Sequence, residues 1–287
     1  MANTIGTSTL SEVWRIKYFK SMLEVALRNR LVAEDVCKVE RGNGRYVSNP
    51  YMTQPTAAIA AIAGTYAVST ATTTDEKLTV SDQVTYAIHL FEFEDTLARV
   101  DLYSSFIDEM TAAVATVVDK FVLNKILDGA GESYTTPEGG FTTAGNINEI
   151  FSELLSKVAG YTEEGMPFIV LENTDLPGLI QAGATNGFNF ADATLNNGFN
   201  GNYMGVDVYI IRTGTFATDT IGTLSATNSG HRLFGIKNTA VYATPRNIQY
   251  DEKKVTLKTG KELSVWANIG AVVWTPKEDL LVDITLA

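Results

Sequence analysis

The sequence predicts an α+β protein whose helices and strands fall in separate stretches of chain. Three observations carry that expectation. Asp101 to Asp128 holds one long apolar stripe at helical spacing, Lys38 to Phe93 is rich in Thr, Val, Tyr and Ala with few helix caps, and the chain from Arg232 onward reads as extended segments parted by turns.

Composition sets the frame. At 287 residues, 45% hydrophobic and 19% charged, the chain can form one large domain or two smaller ones with real cores. No stretch reaches the roughly 18–20 uncharged apolar residues of a membrane-spanning helix. Met1 to Leu10 is polar and does not read as a secretory signal. Cys37 is the only cysteine, so no disulfide forms within one chain and folding in a reducing cytosol suits the sequence. A net charge of −11 argues against a surface that grips nucleic acid everywhere. Within residues 1–30, however, Arg15, Lys17, Lys20, Arg28 and Arg30 face only Glu12 and Glu24. Two readings of that basic patch stay open: an arm with its own task, or a solvated helix face on an acidic protein.

Taken in order, Ser11 to Arg30 reads as an amphipathic helix. Val13, Ile16, Leu23 and Leu27 form its stripe, and Trp14, Tyr18, Met22 and Val25 widen it. So wide a stripe demands burial, on the chain's own body or on a neighbour. Gly42-Asn43-Gly44 is a turn, and Pro50 and Pro55 forbid a regular helix there. Thr65 to Leu78 and Gln83 to Phe93 read as strands. More than 40 residues of hairpin-like sequence suggest a projecting loop, since compact domains rarely carry so long a connection without a use for it.

In Asp101 to Asp128, Tyr103, Phe106, Ile107, Met110, Val114, Val117, Val118, Phe121 and Leu127 recur mostly at steps of three and four. Asp101 is placed to cap the start, and Gly129 follows the end. About 28 residues at ~1.5 Å each make a rod of roughly 42 Å, a spine. Gly129 to Gly145 reads as a linker and Asn148 to Ala159 as a short helix. Phe168 to Leu171 is a buried strand, and Asn173 or Thr174 caps a helix through Leu179 and Ile180. Gly183 to Asn202 reads as a long loop and Gly205 to Ile211 as a strand. Further strands are expected at Arg232–Tyr242, Val255–Leu257, Glu262–Trp274 and Leu280–Leu286. Turns are expected at Pro245, Asp251-Glu252, Thr259-Gly260 and Pro276.

Catalytic chemistry finds little support. A Ser or Cys nucleophile needs a histidine, and His89 and His231 have no Cys or acidic neighbours at useful spacing. Cys37, between Val36 and Val39, reads as a small buried hydrophobe. The acidic groups Glu92/Glu94/Asp95, Asp108/Glu109 and Glu163/Glu164 sit where carboxylates serve capping and solubility. There is no phosphate loop, dinucleotide fingerprint or zinc spacing. The sequence therefore nominates no catalytic, cofactor or metal residue.

The order of elements is more informative than any motif. Phe91-Glu-Phe-Glu-Asp95 leads into the spine and Gly129. Pro167 to Leu171 precedes the Leu176–Ala182 helix. Asn197 to Tyr209 is a glycine-rich turn feeding a strand, and Phe234 to Tyr242 with Trp266 to Trp274 makes the return. This succession resembles the Hong Kong 97-type major capsid proteins of tailed bacteriophages, over nearly the whole chain.

The resemblance implies an N-terminal arm (1–37), an E-loop hairpin (38–88), a peripheral domain (89–140 and 232–275) and an axial domain (141–231 and 276–287). It implies a structural protein, made in the host bacterial cytoplasm, whose hexamers and pentamers build an icosahedral shell in the virion. Scaffolding and portal proteins are its implied partners, together with packaged double-stranded DNA bound without sequence specificity; no membrane is implied. Assembly contacts are expected at Trp14, Tyr18, Arg28, Arg30, Tyr51, Ile59, Ile62, Tyr66 and Lys77. The small-residue run Ala57 to Ala63 would pack closely on a neighbour, and an acidic wall would not hinder DNA packing.

Two departures from the family pattern stand out. No region before the arm reads as a scaffolding segment, which implies a separate scaffold or earlier processing. Some members cross-link subunits through Lys–Asn bonds; Lys77 is the lysine well inside the loop, and nothing identifies its acceptor. An encapsulin-like compartment, which shares this fold, and a virion-surface binding module remain as alternatives.

Overall fold

A computed structural model describes residues 32–41, 46–52, 72–90, 102–160, 165–186, 199–245, 248–254 and 260–287. In chain order these form α1 (Ala33–Val36), β1 (Lys38–Glu40), β2 (Tyr46–Met52), β3 (Thr73–Thr79), β4 (Asp82–Leu90) and the spine helix α2 (Leu102–Asp128). Then come β5 (Glu132–Thr135), a 3-10 turn (Gly140–Thr142), α3 (Ala144–Val158), β6 (Pro167–Glu172) and α4 (Leu176–Asn186). The remainder is β7 (Phe199–Tyr203), β8 (Val206–Ile211), β9 (Thr218–Ile221), β10 (Leu224–Thr227), β11 (His231–Ile236), β12 (Ala240–Ala243), β13 (Gln249–Lys254), β14 (Lys261–Val273), a 3-10 turn (Thr275–Leu280) and β15 (Leu281–Thr285).

Two sheets organise the body. The first runs β1-β12-β14-β13 with β4 also on β14, and the long β14 is its axis. Its inward residues Leu263, Val265, Ala267 and Ile269 are buried while Glu262 and Asn268 face water, the two-residue period of a half-covered strand. Met110, Val114, Val118 and Phe121 of α2 belong to the same core cluster as those β14 residues. The second sheet has the order β5-β15-β11-β6-β8-β7. Both of its faces are covered. Phe168, Val170 and Leu233 join the spine's cluster, while Ile169, Leu171 and Phe234 join one built on α3. Hence the continuous apolar run of β6, with no alternation for a sequence reader to find.

Helix α3 begins at Ala144, four residues before the predicted Asn148, and takes in Gly145. Glycine inside a helix costs about 1 kcal/mol relative to alanine. Burial of Ile147, Ile150, Phe151, Leu154 and Val158 along one stripe outweighs that cost. The segment read as a linker from Gly129 to Gly145 contains β5, which pairs in parallel with β15, and a 3-10 turn. Neither Asn173 nor Thr174 caps α4. Asn173 accepts the Thr213 N–H at 3.2 Å, and the helix starts after Asp175.

The strand expected over Arg232–Tyr242 is two strands in different sheets, β11 and β12, separated by a turn in which Asn238 takes φ 63°. Asparagine tolerates that left-handed backbone better than most side chains. Asp251-Glu252, read as a turn, lies within β13, opposite Ser264 and Leu263. The strand Val255–Leu257, the cap Asp101 and the turn Gly42–Gly44 lie outside the described residues.

Helix α4 crosses the first 3-10 turn so closely that a Cβ on Gly178 would lie 2.1 Å from the Phe141 carbonyl oxygen. Gly178→Ala must therefore push backbone apart. A loss of ~3 kcal/mol is expected, read as a lower urea midpoint with unchanged slope in the unassembled subunit. A midpoint equal to the parent's would show that the crossing relaxes freely.

Candidate functional site

The hairpin β2–β3 is only thinly covered by the body. Its register pairs Tyr46 with Thr79 and Met52 with Thr73. Along β2 no residue is buried, and Tyr46 and Met52 are 62% and 51% exposed. On β3 only Leu78 is buried, in a small cluster with Val241, Ala243 and Trp274 against which Val47, Val80 and Val272 pack. Glu76 accepts the Thr275 N–H at 3.1 Å. These contacts hold the root of the hairpin. Along β2 exposed positions alternate with half-buried ones, and a lone two-stranded ribbon is marginal in water.

Of the nine residues nominated for assembly, Tyr51 and Lys77 fall among the described ones, and both are on this hairpin. Tyr51 is half-buried opposite Thr74; Lys77 is opposite Ser48. The Lys77 ammonium lies 3.6 Å from Asp75 and 5.9 Å from the Tyr46 ring centroid, with its side chain 59% exposed. Trp14, Tyr18, Arg28, Arg30, Ile59, Ile62 and Tyr66 lie outside the described residues, as does the Ala57–Ala63 run.

A second feature is where the arm's last residues meet the spine. Asp119, on α2, is buried and accepts the backbone N–H of Val32 at 2.9 Å and of Ala33 at 2.6 Å. Burial pushes its carboxyl up to about 6; the two N–H donors oppose the shift, and Asp35 and Glu34 add to it. Beside it opens a groove of about 320 Å³ lined by Ala33, Arg41, Ala115, Val118, Tyr242 and Ile248. Burial also drives the Cys37 thiol far above its usual range, so this buried cysteine is a packing residue without thiolate character. Asp119 carried no sequence signal: it is one polar residue among apolar ones, given its role by amides 86 and 87 positions away.

A third polar centre joins the spine to the second sheet. Asn124, fully buried, donates to the Thr215 carbonyl at 2.8 Å and to the Lys120 carbonyl at 2.7 Å. Its oxygen accepts from Asn228 at 3.1 Å. Nearby, Arg232 lies between Asp175 and Glu172, and its Nη2 is 3.3 Å from each carboxylate. His231, just ahead of the strand expected from Arg232, opens β11 and holds Asp283 at 2.7 Å through Nδ1. His89 lies in β4. Among the described residues no three His, Cys, Asp or Glu side chains gather as a metal site, and no helix is long and apolar enough to cross a membrane.

No family model matches the sequence, and no curated protein does. Solved structures do resemble it. Mycobacterium phage Che8 aligns with a TM-score of 0.74 at 14% identity, over 93% of this chain and 95% of that one. The capsid structure of cyanophage P-SCSP1u aligns at 0.73 and 13% identity, over 100% and 97%. The asymmetric unit of the bacteriophage PhiM1 mature capsid aligns at 0.70 and 11% identity, over 94% and 91%. Near-complete coverage at such low identity establishes a shared backbone plan. The chain thus has the α+β, Hong Kong 97-type fold that its order of elements led us to expect.

Proposed function

We propose that this chain is the major capsid protein of a tailed double-stranded DNA bacteriophage, one subunit of a closed icosahedral shell around the genome. The observation that carries this reading is the β2–β3 hairpin, anchored at its root through Leu78 and with no buried residue along β2. Such a ribbon gains its missing contacts by lying on a second copy, with Tyr51 and Lys77 among the contacting residues. The capsid likenesses supply the context, since two of the three similar structures named above are described as capsids. The role is structural, and hexamers and pentamers are the assembling units. The arm 1–37, E-loop 38–88, peripheral segments 89–140 and 232–275, and axial segments 141–231 and 276–287 divide the work. A scaffolding protein, a portal and packaged DNA are the partners, and the bacterial cytoplasm and then the virion are the locations.

Closed symmetric assembly lets modest contacts add up to a stable particle. Negative-stain electron microscopy and size-exclusion chromatography of the protein expressed alone test the proposal. Closed shells or capsomer rings are the expected result, with nucleic acid inside particles purified from infected cells. Shells that hold enzyme cargo and no DNA would point to an encapsulin-like compartment. A discrete monomer or trimer that never assembles, even with neighbouring gene products present, would refute the shell reading and leave the surface-module alternative.

A further inference from the structure

We propose that Asp119 is the positioning residue that latches the root of the N-terminal arm, at Val32 and Ala33, to the spine helix. One carboxylate oxygen accepts both the Val32 and the Ala33 amide, at 2.9 and 2.6 Å. Val32 and Ala33 are themselves buried, so the chain is held by its backbone and by packing at the same point. The next amides, of Asp35 and Val36, turn back onto the Val32 carbonyl at 3.0 and 3.2 Å, which makes the root a compact knot. Removing the Asp119 oxygen would strand two buried N–H groups at once, and each lost partner is costly in such a site.

The latch carries a charge that its surroundings resist. The groups facing it are Glu34 and Asp35 on α1, Cys37 after it, Arg41 beyond β1, and Tyr242 on β12. β14 contributes only Ala267 and the segment before β13 only Ile248, neither titratable. Arg41 is the single cation among them, and it lies 3.4 Å from Glu34. Burial dominates, and it holds the Asp119 carboxyl at about 6 against an ordinary 3.8. When the root opens, the carboxyl regains water and its ordinary value.

The closed form therefore binds the proton more tightly than the open one. Closure is favoured most below pH 3.8, and that advantage fades as pH rises to about 6. The two-unit gap corresponds to about a 100-fold change in the opening equilibrium. The arm root is thus looser at neutral pH than in acid, the reverse of a carboxylate stabilised by an ion pair.

Amide hydrogen exchange at Val32 and Ala33 in the unassembled full chain, corrected for intrinsic rates, reads the latch directly. In the parent protein, opening should increase by about 50-fold between pH 4 and pH 7. Asp119→Asn keeps a carbonyl oxygen without the charge, so its protection should be pH-independent and match the parent at pH 4. Asp119→Ala should lose protection at both pH values, and trypsin should cut after Arg30 faster than in the parent. A pH-flat parent, or Asp119→Ala protection equal to the parent's, would overturn the latch.

The consequence for assembly rests on the shell reading; the exchange result does not. Electron microscopy of the same three proteins separates the two. A parent that never assembles defeats the shell reading whatever the amides show. A parent that assembles with an unlatched root defeats only this inference.

Discussion

Arg232→Met is expected to lower the stability of the unassembled subunit by about 3–5 kcal/mol. The guanidinium sits with its side chain 4% exposed, between Asp175 at 2% and Glu172 at 8%. It bonds Asp175 through Nε and Nη2, lies 3.3 Å from Glu172, and donates to the His231 carbonyl at 2.7 Å. Methionine fills much of the volume but leaves two buried carboxylates facing each other without a cation. Uncompensated charge, far more than lost attraction, sets the size of the effect. Adding Asp175→Leu and Glu172→Leu to Arg232→Met should recover only part of the loss. Asp175 also accepts the Glu172 N–H, and Glu172 accepts the Gly214 N–H at 2.9 Å, so the triple variant orphans two amides. Urea unfolding checks both statements. A loss under about 1 kcal/mol for Arg232→Met would mean that water reaches the carboxylates.

What the sequence disclosed divides along a physical line. The spine was legible because its apolar residues repeat over seven turns and Gly129 follows its end. β14 was legible because one face is wet and one dry. β11 and β12 were not separable, since from Leu233 to Ile236 and from Ala240 to Ala243 both are buried and carry no period; the separating Lys237-Asn238 turn is a weak signal beside them. Asp251-Glu252 looked like a turn because charge on an edge strand and charge in a loop are the same in sequence.

The candidate site was legible in outline and not in contact. The Thr- and Val-rich segment with Pro50 pointed to a projecting hairpin, and within it β2 and β3 pair antiparallel. Which residues are covered there depends on the far-off Trp274 and Val241, which no local pattern encodes. Asp119, Asn124 and Arg232 were missed for the same reason. Their roles come from backbone and side-chain partners 57 to 104 positions away.

Shortening the hairpin tests the assembly reading most sharply, because it removes surface that the fold itself does not use. Residues 50–75 can be replaced by an Asn-Gly turn, which joins the facing positions Asn49 and Glu76 in their existing register. The change keeps Val47 and Leu78 in their cluster and keeps Glu76 on the Thr275 amide. The body should therefore fold with a urea midpoint close to the parent's. Particle yield by electron microscopy and sedimentation should fall by more than about 100-fold, since every subunit loses the same contact and the losses multiply around a closed shell. Tyr51→Glu provides a gentler arm of the experiment. It leaves chain length unchanged, places a charge on the half-covered face of β2, and should reduce yield without altering the urea midpoint. Normal shells from the shortened chain would show that the ribbon is ornamental, and the reading built on its thin coverage would fall with it. A folded, soluble subunit that no longer assembles would locate the assembly function in a segment that contributes almost nothing to the stability of its own chain.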